Sequence, residues 1–140
     1  MTTSRPAATP PGAHLPGRIP WDPPAADGTR SATVHGRRLP GEQFSYAFAV
    51  PGGVWDAPHS HPVDAHVVVT SGTLLLGYGH VHDRAAAHAY PAGSYLFVPA
   101  GAVHFDGADQ DTVIIGVATG PWSTDYDRAD VPPRSARASR

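Results

Sequence analysis

The sequence predicts an all-β protein, and three observations carry that expectation. Between residues 28 and 122, short apolar runs rich in Val, Ile, Tyr, Phe and Thr alternate with Gly and Pro. Turn residues recur roughly every eight to twelve positions, the spacing of strands in a sandwich or barrel. No long stretch keeps a 3.6-residue apolar period, and only DRAAAH, residues 83–88, suits a single helical turn.

Taken in chain order, residues 1–27 are rich in Pro, Ala, Thr and Gly and read as a loose, partly disordered N-terminal arm. Strand-like runs follow at SATVHG (31–36) and QFSYAFAV (43–50), then AHVVVTSG (65–72) and TLLLGYG (73–79). The successive Val67, Val68 and Val69 suggest a strand covered on both faces, inside a barrel or at a dimer interface. Further runs are SYLFVPAG (94–101), AVHFDG (102–107) and DTVIIGVATG (111–120). Residues 123–140 return to the composition of a tail. A closed barrel or a double-sheet jelly roll would protect the edges of so many short strands.

Composition bounds the chemistry. The 140 residues suit one domain, and the absence of cysteine excludes both disulfides and thiolate metal sites. The net charge is −2 and all ten cationic side chains are scattered arginines, which leaves no footprint for nucleic acid. No apolar run approaches the roughly 18 residues of a membrane span. The N-terminus, MTTSRPAATPPGAHLPGRIP, lacks the apolar region of a signal peptide, so a cytoplasmic location is the default expectation. Nine histidines against one glutamate, Glu42, tilt any metal site toward imidazole.

The densest polar cluster is APHSHPVDAH (57–66), with three histidines. His59 and His61 are two apart and project from one face of an extended strand. A third ligand must come from a neighbouring strand, and His104, delivered by the turn in VPAGAVHF, is the candidate. Three neutral imidazoles suit Fe, Zn, Ni or Cu and disfavour Mg and Ca. His14, His35 and His88 read as surface residues.

These motifs resemble those of the cupins. The first cupin motif reads here as Gly53, five residues, His59-Ser-His61, three residues, Ala65, six residues, Gly72. The second reads Gly93, five residues, Pro99-Ala-Gly101, two residues, His104, three residues, Ala108. HSHPVDAHVVVTSGTLLLGYG, YPAGSYLFVPAGAVHF and GPWSTDY resemble short bacterial single-domain cupins. The resemblance covers about residues 28–122. It implies a jelly-roll β-barrel, often a homodimer, with a divalent metal held inside by His59, His61 and His104.

Two positions depart from the pattern. Ala65 stands where the family places a metal-binding glutamate, and Ala108 where it places an asparagine. His66, Asp64 and Glu42 are the nearby replacements, but strand parity points His66 and Asp64 away from His59 and His61. The expected ligand set is therefore three histidines without a carboxylate, which keeps the ion's full +2 charge and attracts anionic ligands. Loss of the glutamate equally fits a cupin that no longer binds metal. His80, His82 and Asp83 read as an exposed hairpin, with a second metal site or an acid/base pair as the other reading. The aromatic strand residues Tyr46, Phe48, Trp55, Tyr78, Tyr95 and Phe97 read mainly as core, and Tyr46 or Tyr95 as phenol donors near the metal.

Three functions compete on these grounds. The first is an Fe(II), O2-dependent oxidation of a small organic substrate. The second is a non-redox isomerase, cyclase or lyase using Zn, Ni or Mn as Lewis acid, with His66, His80 or Tyr95 as general base. The third is a metal- or ligand-binding domain without turnover. The expected partners are a small-molecule substrate, anionic ones included, and a second copy of the chain, with neither nucleic acid nor membrane.

Overall fold

The computed structural model describes residues 9–130 and 134–136. Eleven strands form two antiparallel sheets that face each other. They are β1 (Arg30–Gly36), β2 (Gln43–Val50), β3 (Val54–Ser60), β4 (Ala65–Ser71), β5 (Thr73–Tyr78) and β6 (His88–Pro91). Then come β7 (Tyr95–Val98), β8 (His104–Gly107), β9 (Thr112–Thr119), β10 (Asp125–Tyr126) and β11 (Arg134–Ala136). One sheet has the order β1-β2-β9-β4-β7 and the other β10-β3-β8-β5-β6, with β11 also paired to β3. This is the jelly-roll arrangement. The helical turn expected near residue 85 is a single 3-10 turn, Arg84–Ala86, capped by the Asp83 carboxylate.

Alternation builds the core. On β4, Ala65, Val67 and Val69 point inward while His66 and Val68 point outward. Leu74 and Leu76 of β5, Leu96 and Val98 of β7 and Ile114 of β9 complete the same apolar cluster. Two-sided coverage of the valine run is not supplied by the described residues. Val68 is 41% exposed, and Tyr95 and Phe97 beside it are exposed too.

Sheet two differs, because β8 is buried along its whole length. His104 and Asp106 face inward. Phe105 and Gly107 face the other way, under the segment after β5, where His82 packs on Trp55 and Phe105 with ring centroids 4.7 and 5.2 Å apart. Gly107 leaves room for the Trp55 ring, which a Cβ there would strike.

Two terminal expectations change. Residues 1–8 of the expected loose arm lie outside the described residues, but residues 9–27 include a 3-10 turn at Pro16–Arg18 and pair with β1 through Asp22 N–H donating to Ser31 O at 2.8 Å. The expected C-terminal tail is structural. β10 pairs Tyr126 with His59, and β11 pairs Ser135 with Trp55. Residues 131–133 and 137–140 of that tail lie outside the described residues. No described helix is long and apolar enough to cross a membrane.

Gly116 is the tightest test of the barrel's interior. It pairs with Tyr46 on one side and Val67 on the other, and a Cβ would run into the Tyr46 phenol ring. Gly116→Ala is expected to lower unfolding free energy by about 1–3 kcal/mol, the usual cost of overpacking. Chemical denaturation checks this; an unchanged midpoint would mean that Tyr46 does not fill the space in front of Gly116.

Candidate metal centre and cavity

The inner ends of β3 and β8 carry the polar residues of the barrel. Their pairing contains an irregularity: Asp56 lies opposite Asp106 and His59 opposite His104, so three residues on β3 match two on β8. The extra residue reverses the alternation of β3, and Asp56 and His59 both face inward although they are three apart. His61 follows the end of β3. Its ring centroid is 5.2 Å from that of His59 and 5.3 Å from that of His104; His59 and His104 are 4.3 Å apart.

Each of the three imidazoles is oriented the same way. The Nδ1 of His59 donates to Ala57 O at 2.6 Å, that of His61 to Ser123 O at 2.8 Å, and that of His104 to Ala102 O at 2.9 Å. A backbone carbonyl can only accept, so each Nδ1 carries a proton, and in the neutral ring this tautomer leaves the lone pair on Nε2. One ligand atom from each ring lies within 4.8 Å of the others. A carbonyl behind each ring and a free Nε2 in front is how proteins present histidine to a metal.

Protonation points the same way. Burial pushes His61 down to about 4, against a partial upward pull from the Ser123 carbonyl, and the neighbouring His59 and His104 push it further. His104 is lowered to about 4 by burial and then by His59. Both are neutral at pH 7, the state that coordinates. The residues present fit a divalent ion of the imidazole-preferring type.

Two carboxylates join this set. Asp106 Oδ1 lies 3.7 Å and Asp56 Oδ2 3.9 Å from His59 Nε2, and these three residues form a second group able to hold a cation. The Tyr126 hydroxyl donates to Asp56 Oδ1 at 2.8 Å. His59, His61 and His104 group without a carboxylate, as expected for the ligand set; Ala65 is buried in the wall as an apolar residue, and what the sequence reading missed is the second group on β3 and β8, which shares His59. Asp106 was open to sequence reading, since it is two residues from His104 and shares its face. Asp56 was not, because the bulge hides its parity.

The segment after β9 closes one side. Trp122 stacks on His61 with centroids 4.2 Å apart at 16°, and also meets Phe44 and Tyr46. Burial and the nearby Asp106 push the Tyr46 phenol's pKa up, so it remains a protonated donor. The cavity beyond the histidines is about 240 Å³ and is lined mainly by Val67, Leu74, Leu76, Leu96, Val98 and Ile114.

The other candidates lie elsewhere. His66 and Tyr95 sit on the outer face of the first sheet, where His66 Nδ1 and the Tyr95 hydroxyl are 2.5 Å apart. Neither lines the cavity, so a base acting on a molecule held there has to be one of the inward groups. Asp64 accepts from Ala100 N–H, and Glu42 pairs with Arg37. His80 is exposed and bonds Asp127 at 2.9 Å, while His82 packs over Trp55; the two do not share a metal-ready group among the described residues.

Comparison with known proteins agrees with this geometry. The family described as ChrR cupin-like domain matches residues 15–123. No curated protein matches at a significant level. Among solved structures, the polyketide cyclase RemF from Streptomyces resistomycificus superposes with a TM-score of 0.66 at 16% identity, over 87% of this chain and 89% of that one. A cupin superfamily protein from Desulfitobacterium hafniense gives 0.60 at 13%, over 84% and 99%. KdgF from Halomonas sp. gives 0.57 at 12%, over 76% and 93%. Identities this low carry the fold alone.

The depressed histidines set a pH dependence. In the unfolded chain they take up protons near pH 6.5, whereas in the folded chain they do so only near 4. The unfolded state thus binds more protons between these values, and folding stability falls as pH drops through that window. Thermal melts of metal-free protein from pH 7.5 to 4.5 should show a falling midpoint. His61→Gln/His104→Gln should flatten the curve; an equally steep double variant would place the effect elsewhere.

Proposed function

The chain belongs to the cupins as a ChrR cupin-like domain, and from that premise we propose that it is a metal-dependent enzyme catalysing a non-redox isomerase, cyclase or lyase step on a small organic molecule. His59, His61 and His104 are the residues that would hold the ion. Zinc, nickel or manganese there would supply Lewis acidity, polarising an oxygen of the bound molecule.

One observation carries the choice of reaction class: Asp56 and Asp106 stand inside the cavity, beside the histidines. Non-redox chemistry of this type must move a proton, and a positioned carboxylate is a suitable acceptor. Asp106 is the base in this reading. Asp56, held in orientation by the Tyr126 hydroxyl, flanks it on the facing strand. The Tyr46 phenol is a donor available to an oxygen that gains charge. The apolar wall receives the body of the molecule and excludes water from the reacting end. A polyketide cyclase shares the fold, a precedent for cyclase chemistry on this scaffold.

Iron(II)-dependent oxidation with O2 is the second reading. It is favoured by Ala65, which removes the family's carboxylate ligand and leaves more coordination positions for substrate and O2. The two readings separate in one experiment. Protein loaded with zinc, nickel or manganese is incubated in D2O with a panel of small oxo-acids and followed by NMR. Proton exchange beside the carbonyl without O2 uptake is expected, and Asp106→Asn should slow it at least about 100-fold while the bound metal is retained. O2 consumption by iron-loaded protein, with no exchange under any metal, would overturn the first reading in favour of the second.

A further inference from the structure

Arg38 lies in the β1–β2 connection and is half-buried. It is the one cationic side chain among the residues that line the cavity. Its guanidinium sits over two aromatic faces, 5.3 Å from the Phe44 centroid and 5.6 Å from that of Tyr46. Both rings contact Trp122, which in turn stacks on His61. Phe44 and Tyr46, and then Trp122, thus stand between the guanidinium and His61.

Its bonding is incomplete in a specific way. Nε donates to Thr33 Oγ1 at 3.0 Å, and one Nη2 hydrogen reaches Ala32 O at 3.4 Å. A guanidinium has five N–H donors, so three remain without a protein acceptor among the described residues. Three other arginines are paired, Arg37 with Glu42, Arg84 with Asp109 and Arg128 with Asp130, while Arg30 lies over Trp21 outside the cavity. Arg38 has no carboxylate within ion-pair distance among the described residues. The titratable groups that face it are the Tyr46 phenol, which stays protonated, and Asp22 from the N-terminal arm; burial lowers its own pKa. Partly desolvated cations are normally paired, because removing the hydration of a charge is costly. Fixed by Thr33 and two aromatic faces, this fork is preorganised to take a planar anion in a bidentate contact.

We propose that Arg38 is the specificity-determining residue of the cavity and binds the carboxylate of a small monocarboxylic acid, whose apolar body lies against the Val67–Leu76–Leu96 wall and whose second oxygen function reaches the histidine cluster. This rests on the reading of the same cavity as a substrate site. It narrows the substrate to an oxygenated, otherwise apolar carboxylate. Ser31 and Thr124 add hydroxyl groups to the cavity lining.

The test uses hexanoate and its neutral counterpart hexanamide, titrated calorimetrically into the full-length protein, chelator-treated and zinc-loaded. Hexanoate should bind the wild type in both forms. Arg38→Gln should weaken hexanoate at least about tenfold in both, as expected for loss of a charged hydrogen-bonded pair, and leave hexanamide unchanged. Arg38→Lys should fall between, since it keeps the charge and loses the fork. Circular dichroism melts exclude misfolding, and the unchanged amide affinity is a second control. Equal hexanoate affinity in wild type and Arg38→Gln overturns the proposal, as does the absence of hexanoate binding to either. If the protein takes up no zinc but the Arg38 effect persists in the chelator-treated form, the metal reading fails and the carboxylate site stands.

Discussion

Everything that distinguishes the interior of this barrel depends on how β3 is paired to β8. An antiparallel ladder normally holds alternation on both strands, and two residues on one side match two on the other. Here one extra residue on β3, between Asp56 and His59, lets two inward-facing polar residues meet two on β8. Histidine faces histidine and aspartate faces aspartate. Without the bulge, Asp56 would turn to the outer face, where Trp55 packs against Gly107. The barrel would then have histidines and a single acid.

Placing so many polar groups in an apolar barrel is costly unless each is bonded. The structure meets that demand with backbone carbonyls that come from three separate places: the strand before His59, the turn before His104, and the segment after β9 that reaches His61. The last of these ties the segment after β9 to the site. Residues 121–127 bring the Ser123 carbonyl and the Trp122 ring to His61 and the Tyr126 hydroxyl to Asp56. The same carbonyls that satisfy the rings also fix their tautomers, so stability and readiness for a metal share one set of bonds.

Much of this was legible in the sequence, and the reasons differ from residue to residue. His59, His61 and His104 were visible because strand parity and the Pro-Ala-Gly turn are local signals. Placement of His66 on the outer face followed from the same parity. Asp106 obeyed that parity too, in phase with His104, and was passed over because the search for a carboxylate centred on Ala65. Asp56 was hidden, since a bulge is set by the partner strand and leaves no mark in its own residues. The C-terminal segment was read as a tail on composition alone; its role depends on pairing with β3, a contact distant in sequence. Val68 shows the opposite limit. A run of valines reports that a strand tolerates burial on both faces, without saying what covers the second one.

The central claim is that three imidazoles, each oriented by a carbonyl, hold one divalent ion. Elemental analysis of untagged protein purified without oxygen from metal-replete medium, with His104→Ala and His66→Ala alongside, tests it most directly. The account predicts close to one metal per chain in the wild type and in His66→Ala, and almost none in a folded His104→Ala. Metal-free wild type, or full occupancy in His104→Ala, would contradict it.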